Sequence, residues 1–288
     1  MLENFDYKVK RTEDCVLINT NNWIQMSNFE IRKISGKSYI TYIAEALDIH
    51  THSEEFTNCP IKKGSYMLLT KVASEVAGMS SFEIDGNKFF NVPIMQVLGI
   101  FKNNEISLNN LEMLYNKVLI EKIEEKTYKG LELPLSNEMI GRIIKKGNKA
   151  INTNINDVVI VKDNIVTPIR LNEKDYYGLE ESGIVGIIKD KSNINFINES
   201  ILMQPYYFKK LLNSTILETA DINYEDLDYS DVYNRDLFQI KYIDSRIEGL
   251  KPNDVVLAKR DYTNYVYLNQ DKYFLLNGKN WVEAKIGE

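Results

Sequence analysis

The chain has 288 residues, 44% of them hydrophobic and 26% charged, with 14 Gly and 6 Pro. This is ordinary globular composition and excludes collagen-like and low-complexity disordered classes. Lys+Arg 35 against Asp+Glu 41 leaves a net charge of −6, the wrong sign for a surface that neutralises phosphates, so no nucleic-acid partner is expected.

Cys15 and Cys59 are too few for a disulfide framework and lack zinc-site spacing. Residues 1–8 carry neither a basic nor an apolar leader pattern, and no later run approaches the roughly 18 apolar residues of a membrane span. A cytoplasmic chain with no membrane partner is expected. Heavy use of Asn, Ile, Lys and Tyr fits translation from an AT-rich genome.

In chain order, short runs rich in β-branched and aromatic residues predict strands over 15–18, 66–69, 97–101, 118–120, 158–161, 184–188, 255–258 and 265–268. Helical spacing occurs only over 107–118 and 206–217. The expected fold class is therefore mainly β.

An internal repeat organises these runs. Asn156-Asp157-Val158-Val159-Ile160-Val161 is echoed 97 residues later by Asn253-Asp254-Val255-Val256-Leu257-Ala258. The same offset carries Tyr176-Tyr177 onto Tyr273-Phe274 and Ile184-Val185-Gly186 onto Trp281-Val282-Glu283. A divergent earlier copy runs through Gly64-Ser65-Tyr66-Met67-Leu68-Leu69, Phe89-Phe90 and Val97-Leu98-Gly99-Ile100-Phe101. Each copy opens on an apolar strand: Cys15-Val16-Leu17-Ile18, Lys117-Val118-Leu119-Ile120 and Ser200-Ile201-Leu202-Met203. Three units follow, 1–106, 107–192 and 193–288, with polar linkers expected over 102–110 and 189–198. Gly64, Asn156 and Asn253 precede strands where left-handed turns are expected. Each aromatic pair is expected to send one ring into a core and the other outside.

The order of these fragments resembles the GroES-type co-chaperonin domain, most fully in the second unit. There Lys117-Val118-Leu119-Ile120, Gly130-Leu131-Glu132-Leu133-Pro134, Ile140-Gly141-Arg142-Ile143-Ile144, Asn156-Asp157-Val158-Val159 and Ile184-Val185-Gly186-Ile187-Ile188 follow one another as in that family. The resemblance implies three tandem small GroES-like β-barrels joined by short polar linkers. It also implies that binding sits in the apolar loop after each first strand, making Leu131 and Leu133 partner-binding positions. Glu132 occupies the loop's middle hydrophobic position, where burial of a carboxylate opposes chaperonin docking. The corresponding first-unit residues are Trp23, Ile24 and Met26, a protein-interface composition. The third unit offers Ile216 and Leu217.

Other chemistry is sparse. His50 and His52 share one strand face without a third ligand, and the acidic run 221–231 lacks the glycine and terminal glutamate of a calcium loop. Tyr262, Tyr265 and Tyr267 read as sheet packing. No catalytic residue, metal or cofactor is expected. The composite expectation is a non-enzymatic virion structural protein assembled in the host cytoplasm, a capsid auxiliary or decoration subunit bridging neighbouring virion subunits in a large assembly. The alternative is a co-chaperonin-like lid on a GroEL-type chaperonin ring. Seven is not a multiple of three, so three-domain chains cannot tile a sevenfold ring.

Overall fold

The computed structural model describes residues 15–19, 42–51, 53–56, 58–70, 81–84, 87–123, 127–128, 131–132, 139–162, 166–172, 174–190, 193–206, 209–210, 217–218, 237–258, 264–268 and 271–286. Among these the regular structure is β-strand with one-turn 3-10 segments, arranged in antiparallel sheets. In Thr167–Leu171 burial alternates at every second residue, and only an extended chain converts that period into one buried face. All eight predicted strands are present, with Tyr66–Leu69, Val97–Phe101, Val158–Val161 and Val255–Ala258 at the predicted bounds.

The helix expected over 107–118 does not form. That segment holds a turn, the strand Leu111–Met113 and the start of Lys117–Lys122. Leu111 and Met113 are buried, Glu112 is exposed, and the strand pairs with Val97–Phe101. Satisfying the backbone groups of a sheet edge outweighs a weak helical period. Of the segment 206–217, Lys209–Lys210 and Leu217 are strand, and 207–208 and 211–216 lie outside the described residues. The expected linker over 189–198 contains the strand Asn193–Phe196, paired with Ile184–Asp190.

The repeat recurs in the backbone pairing. Equivalent first-strand pairs are Val16–Val92, Val118–Leu179 and Ile201–Leu276. Equivalent closing pairs are Leu68–Gly99, Ile160–Gly186 and Leu257–Ala284, and in every copy the register slips directly after that pair. Gly64 (φ 85), Asn156 (φ 73) and Asn253 (φ 72) are left-handed as expected. Their N–H groups donate to Ala46, Ile143 and Ile240 at 2.7, 2.9 and 2.7 Å. One expected register is off by a residue. Ile184 corresponds to Val282 and not to Trp281, because Gly278 (φ 92) is an extra residue before the turn Lys279–Trp281.

The chain divides into two units. The first is Met1–Lys122 with Arg142–Asn156 and Ile165–Glu181; the second is Ile123–Gly141 with Asp157–Asn164 and Ser182–Glu288. In the first unit, the sheet of Tyr42–Glu45, Tyr66–Leu69, Val97–Phe101 and Leu111–Met113 is buried on both faces. On one face Ala44, Met67, Leu69 and Val97 meet Val16, Ile18, Phe90 and Val92. On the other, Ile43, Leu68 and Leu98 meet Leu119, Ile169, Leu171 and Tyr176 of the second copy.

The second unit repeats this layering. Ile140, Val158, Ile160 and Val185 pack with Leu202, Val266, Leu268, Tyr273 and Leu275, while Ile201, Met203 and Leu276 form another core with Phe238, Ile240, Val256 and Ala258. Burial on both faces explains the unbroken apolar run Val158–Val161. It also corrects the expectation for the aromatic pairs. Tyr273 enters one core and Phe274 packs on the other, so the "outside" face is itself a core shared with the neighbouring copy. Among the described residues these sheets are open and none closes into a barrel.

Candidate protein-docking site

The loop between the first and second strands of each copy holds all seven positions expected from sequence to bind a partner. In the second unit two such loops leave their sheets at matching necks. Ile123 donates its N–H to Ile140 and Tyr206 donates to Leu237, both at 2.9 Å. Beyond each neck is a two-residue ladder. Thr127 faces Glu132 and Tyr128 faces Leu131; Lys209 faces Glu218 and Lys210 faces Leu217. Leu131-Glu132 and Leu217-Glu218 are thus the same dipeptide on equivalent small hairpins, a correspondence visible in sequence only once the loop lengths are discounted. Leu133, Ile216, Trp23, Ile24 and Met26 lie outside the described residues.

Sequence reasoning missed three apolar side chains. In the first unit Ile151 is 81% exposed, Ile155 55% and Met95 58%. Ile151 and Ile155 interrupt a run of Lys, Asn and Thr following Gly147, and an apolar residue stranded in a polar turn was the available signal. The third copy has Glu248 and Pro252 at the equivalent positions, so this feature belongs to the second copy alone.

Buried polar groups around the sheets have structural work. Lys117 is buried and pairs with Glu180. The Thr153 hydroxyl donates to the buried Glu181 carboxylate at 2.6 Å. In the third copy, buried Asp244 accepts the N–H groups of Glu199 (2.9 Å) and Arg246 (3.0 Å) and the Arg246 guanidinium (2.6 Å). Burial opposes ionisation of Asp244, but these donors and the guanidinium charge outweigh it and hold the carboxyl below its usual range. Asp254 behaves alike: burial pushes up, while the Lys285 ammonium and the Lys251 N–H, both at 2.9 Å, pull further down.

His50 ends the strand Asp48–His50, opposite Cys15, and His52 lies outside the described residues. Among the described residues no group of three His, Cys, Asp or Glu could hold a metal ion. The acidic run 221–231 and Tyr262 lie outside the described residues, and Tyr265 sits under the Lys272 ammonium at 4.4 Å from its ring centroid. No helix among the described residues is long and apolar enough to cross a membrane. No protein-family model matches the chain, and no curated protein matches it.

Proposed function

We propose that this chain is a non-enzymatic structural protein of three tandem, divergent GroES-like barrel modules, serving as an auxiliary or decoration subunit of a bacteriophage capsid that bridges neighbouring virion subunits. The observation that carries the reading is the threefold recurrence of one sheet pairing, with the same register slip and the same left-handed turn. In the first copy two half-sheets face each other across one core, as the two sides of a flattened barrel would. A row of similar modules with differing loops can bind several protein surfaces at once, and linked weak contacts give tight overall binding. The test is mass spectrometry of purified particles from cells making the chain. Stoichiometric presence in intact particles is expected, and its absence overturns the virion reading.

The second reading, a co-chaperonin-like lid, is favoured by the matched hairpins carrying Leu131 and Leu217. A two-residue ladder is marginal by itself and gains from a partner surface. The purified chain is mixed with a GroEL-type chaperonin with and without ATP. Nucleotide-dependent co-elution that Leu131→Ser plus Leu133→Ser abolishes supports the lid, and no co-elution removes it.

A further inference from the structure

The closing strand of each copy has two edges, and the third copy treats its outer edge differently. In the first copy Val97–Phe101 lies between Tyr66–Leu69 and Leu111–Met113. In the second Ile184–Asp190 lies between Val158–Val161 and Asn193–Phe196. The third copy's closing strand, Val282–Ile286, pairs with Val255–Ala258 on one side and ends its sheet, with no strand on its other side among the described residues. The register slip does not prevent pairing at that edge. In the first two copies the residues at the slip still accept there, Leu98 from the Leu114 N–H at 2.9 Å and Val185 from the Ile197 N–H at 3.0 Å. The backbone along a sheet edge is a template for another strand.

The side chains say which strand fits. Gly99 and Gly186 are buried under the covering strands of their own copies, where an added Cβ would come within 2.6 Å of the Glu112 carbonyl oxygen and 3.2 Å of that of Asn195. The third copy has Ala284 at the equivalent pairing position, so a strand cannot sit on it as those two do. Glu283, Ala284 and Lys285 are exposed. Lys285 pairs with Asp254 at 2.9 Å, but an ammonium has three donors and a carboxylate roughly four acceptor sites, so Lys285 and Glu283 can each serve a second strand as well.

Val282-Glu283-Ala284-Lys285-Ile286 is complementary to its own reverse. An antiparallel pairing centred on Ala284 sets Val282 opposite Ile286, Glu283 opposite Lys285 and Ala284 opposite its counterpart, and each unlike pair occurs twice. Opposite charges facing each other across an antiparallel pair stabilise it, and like charges oppose it. We propose that Val282–Ile286 pairs antiparallel with the same strand of a second copy of this chain, joining two six-stranded sheets about a twofold axis at Ala284. The contact is isologous, so it closes at a dimer. It does not depend on the virion reading.

The test is analytical ultracentrifugation of the 288-residue chain, 33.4 kDa, from about 1 to about 100 µM, the range of weak to moderate protein association. A monomer–dimer equilibrium is expected. Glu283→Lys sets lysine against lysine in both pairs and Lys285→Glu sets glutamate against glutamate, so each variant alone loses affinity about tenfold or more. A mixture of the two restores opposite charges in both pairs and dimerises as the wild type does. Far-UV circular dichroism confirms that the variants fold. Lys285→Glu also loses the Asp254 pair, and if it does not fold, Ala284→Lys and Ala284→Asp, which repel themselves at the axis and attract each other, replace the two. A wild-type monomer at every concentration, folded variants that dimerise like wild type, or folded variants whose mixture stays monomeric each overturn the proposal.

Discussion

The contact between Leu98 and Gly178 yields a double-mutant cycle whose three arms have different physical origins. Leu98 is 1% exposed. Truncation to Ala removes three buried carbons and leaves a cavity in a sheet held on both faces, costing about 3–5 kcal/mol. Gly178→Leu adds a side chain whose Cβ would lie 2.6 Å from Leu98 Cδ1 and 2.8 Å from Ile169 Cδ1. Those atoms are side-chain ends that can shift in part, so the overpacking costs about 2–3 kcal/mol. The double variant moves the volume across the interface, from position 98 to position 178. It is expected to cost about 2 kcal/mol, far below the roughly 5–8 kcal/mol sum of the single changes, giving a favourable coupling of about 3 kcal/mol or more. Urea denaturation followed by circular dichroism measures all four proteins. Additivity within about 0.5 kcal/mol would refute the claim that these two positions share one packing volume.

Asp244 and Asp254 have carboxyls held below their unfolded value, so their contribution is full above about pH 4 and is lost as pH falls through the lower folded values. Thermal midpoints should therefore fall on acidification below about pH 4, and Asp244→Asn should flatten that fall; an unchanged slope contradicts the clamp. Thr153→Val keeps the shape but removes a donor to buried Glu181, and is expected to cost about 1–3 kcal/mol in the same urea titration, whereas a neutral result means the carboxylate does not need it. Gly64 has open space around a built Cβ, its nearest neighbour Glu45 Oε1 at 3.9 Å, so Gly64→Ala isolates the left-handed backbone cost of about 1–2 kcal/mol. Asn253→Gly at the equivalent turn is expected to be neutral within about 0.5 kcal/mol, and equal losses at both turns would argue against their equivalence.

The mainly β class, four strand boundaries, the threefold repeat and its left-handed turns were determined by the sequence alone. Each is a local matter, set by alternation of side chains along a strand or by the few residues that tolerate positive φ. Leu131 and Leu217, both singled out from sequence, occupy equivalent hairpins. Ile151 and Ile155 were missed because their local signal, an apolar residue in a polar turn, does not by itself separate an exposed isoleucine from one tucked under a sheet. Tertiary structure alone decided the rest. The turn and strand over 107–118 arise because Leu111–Met113 completes a sheet edge formed by residues before it. Gly278 shifts the last strand by one residue, a change whose effect appears only when Val282–Ile286 finds its partner. Tyr176 and Tyr273 are buried because the outer face of each one's half-sheet is covered by the preceding copy. That layering depends on which sheet stacks on which, a long-range choice that no single strand's pattern records.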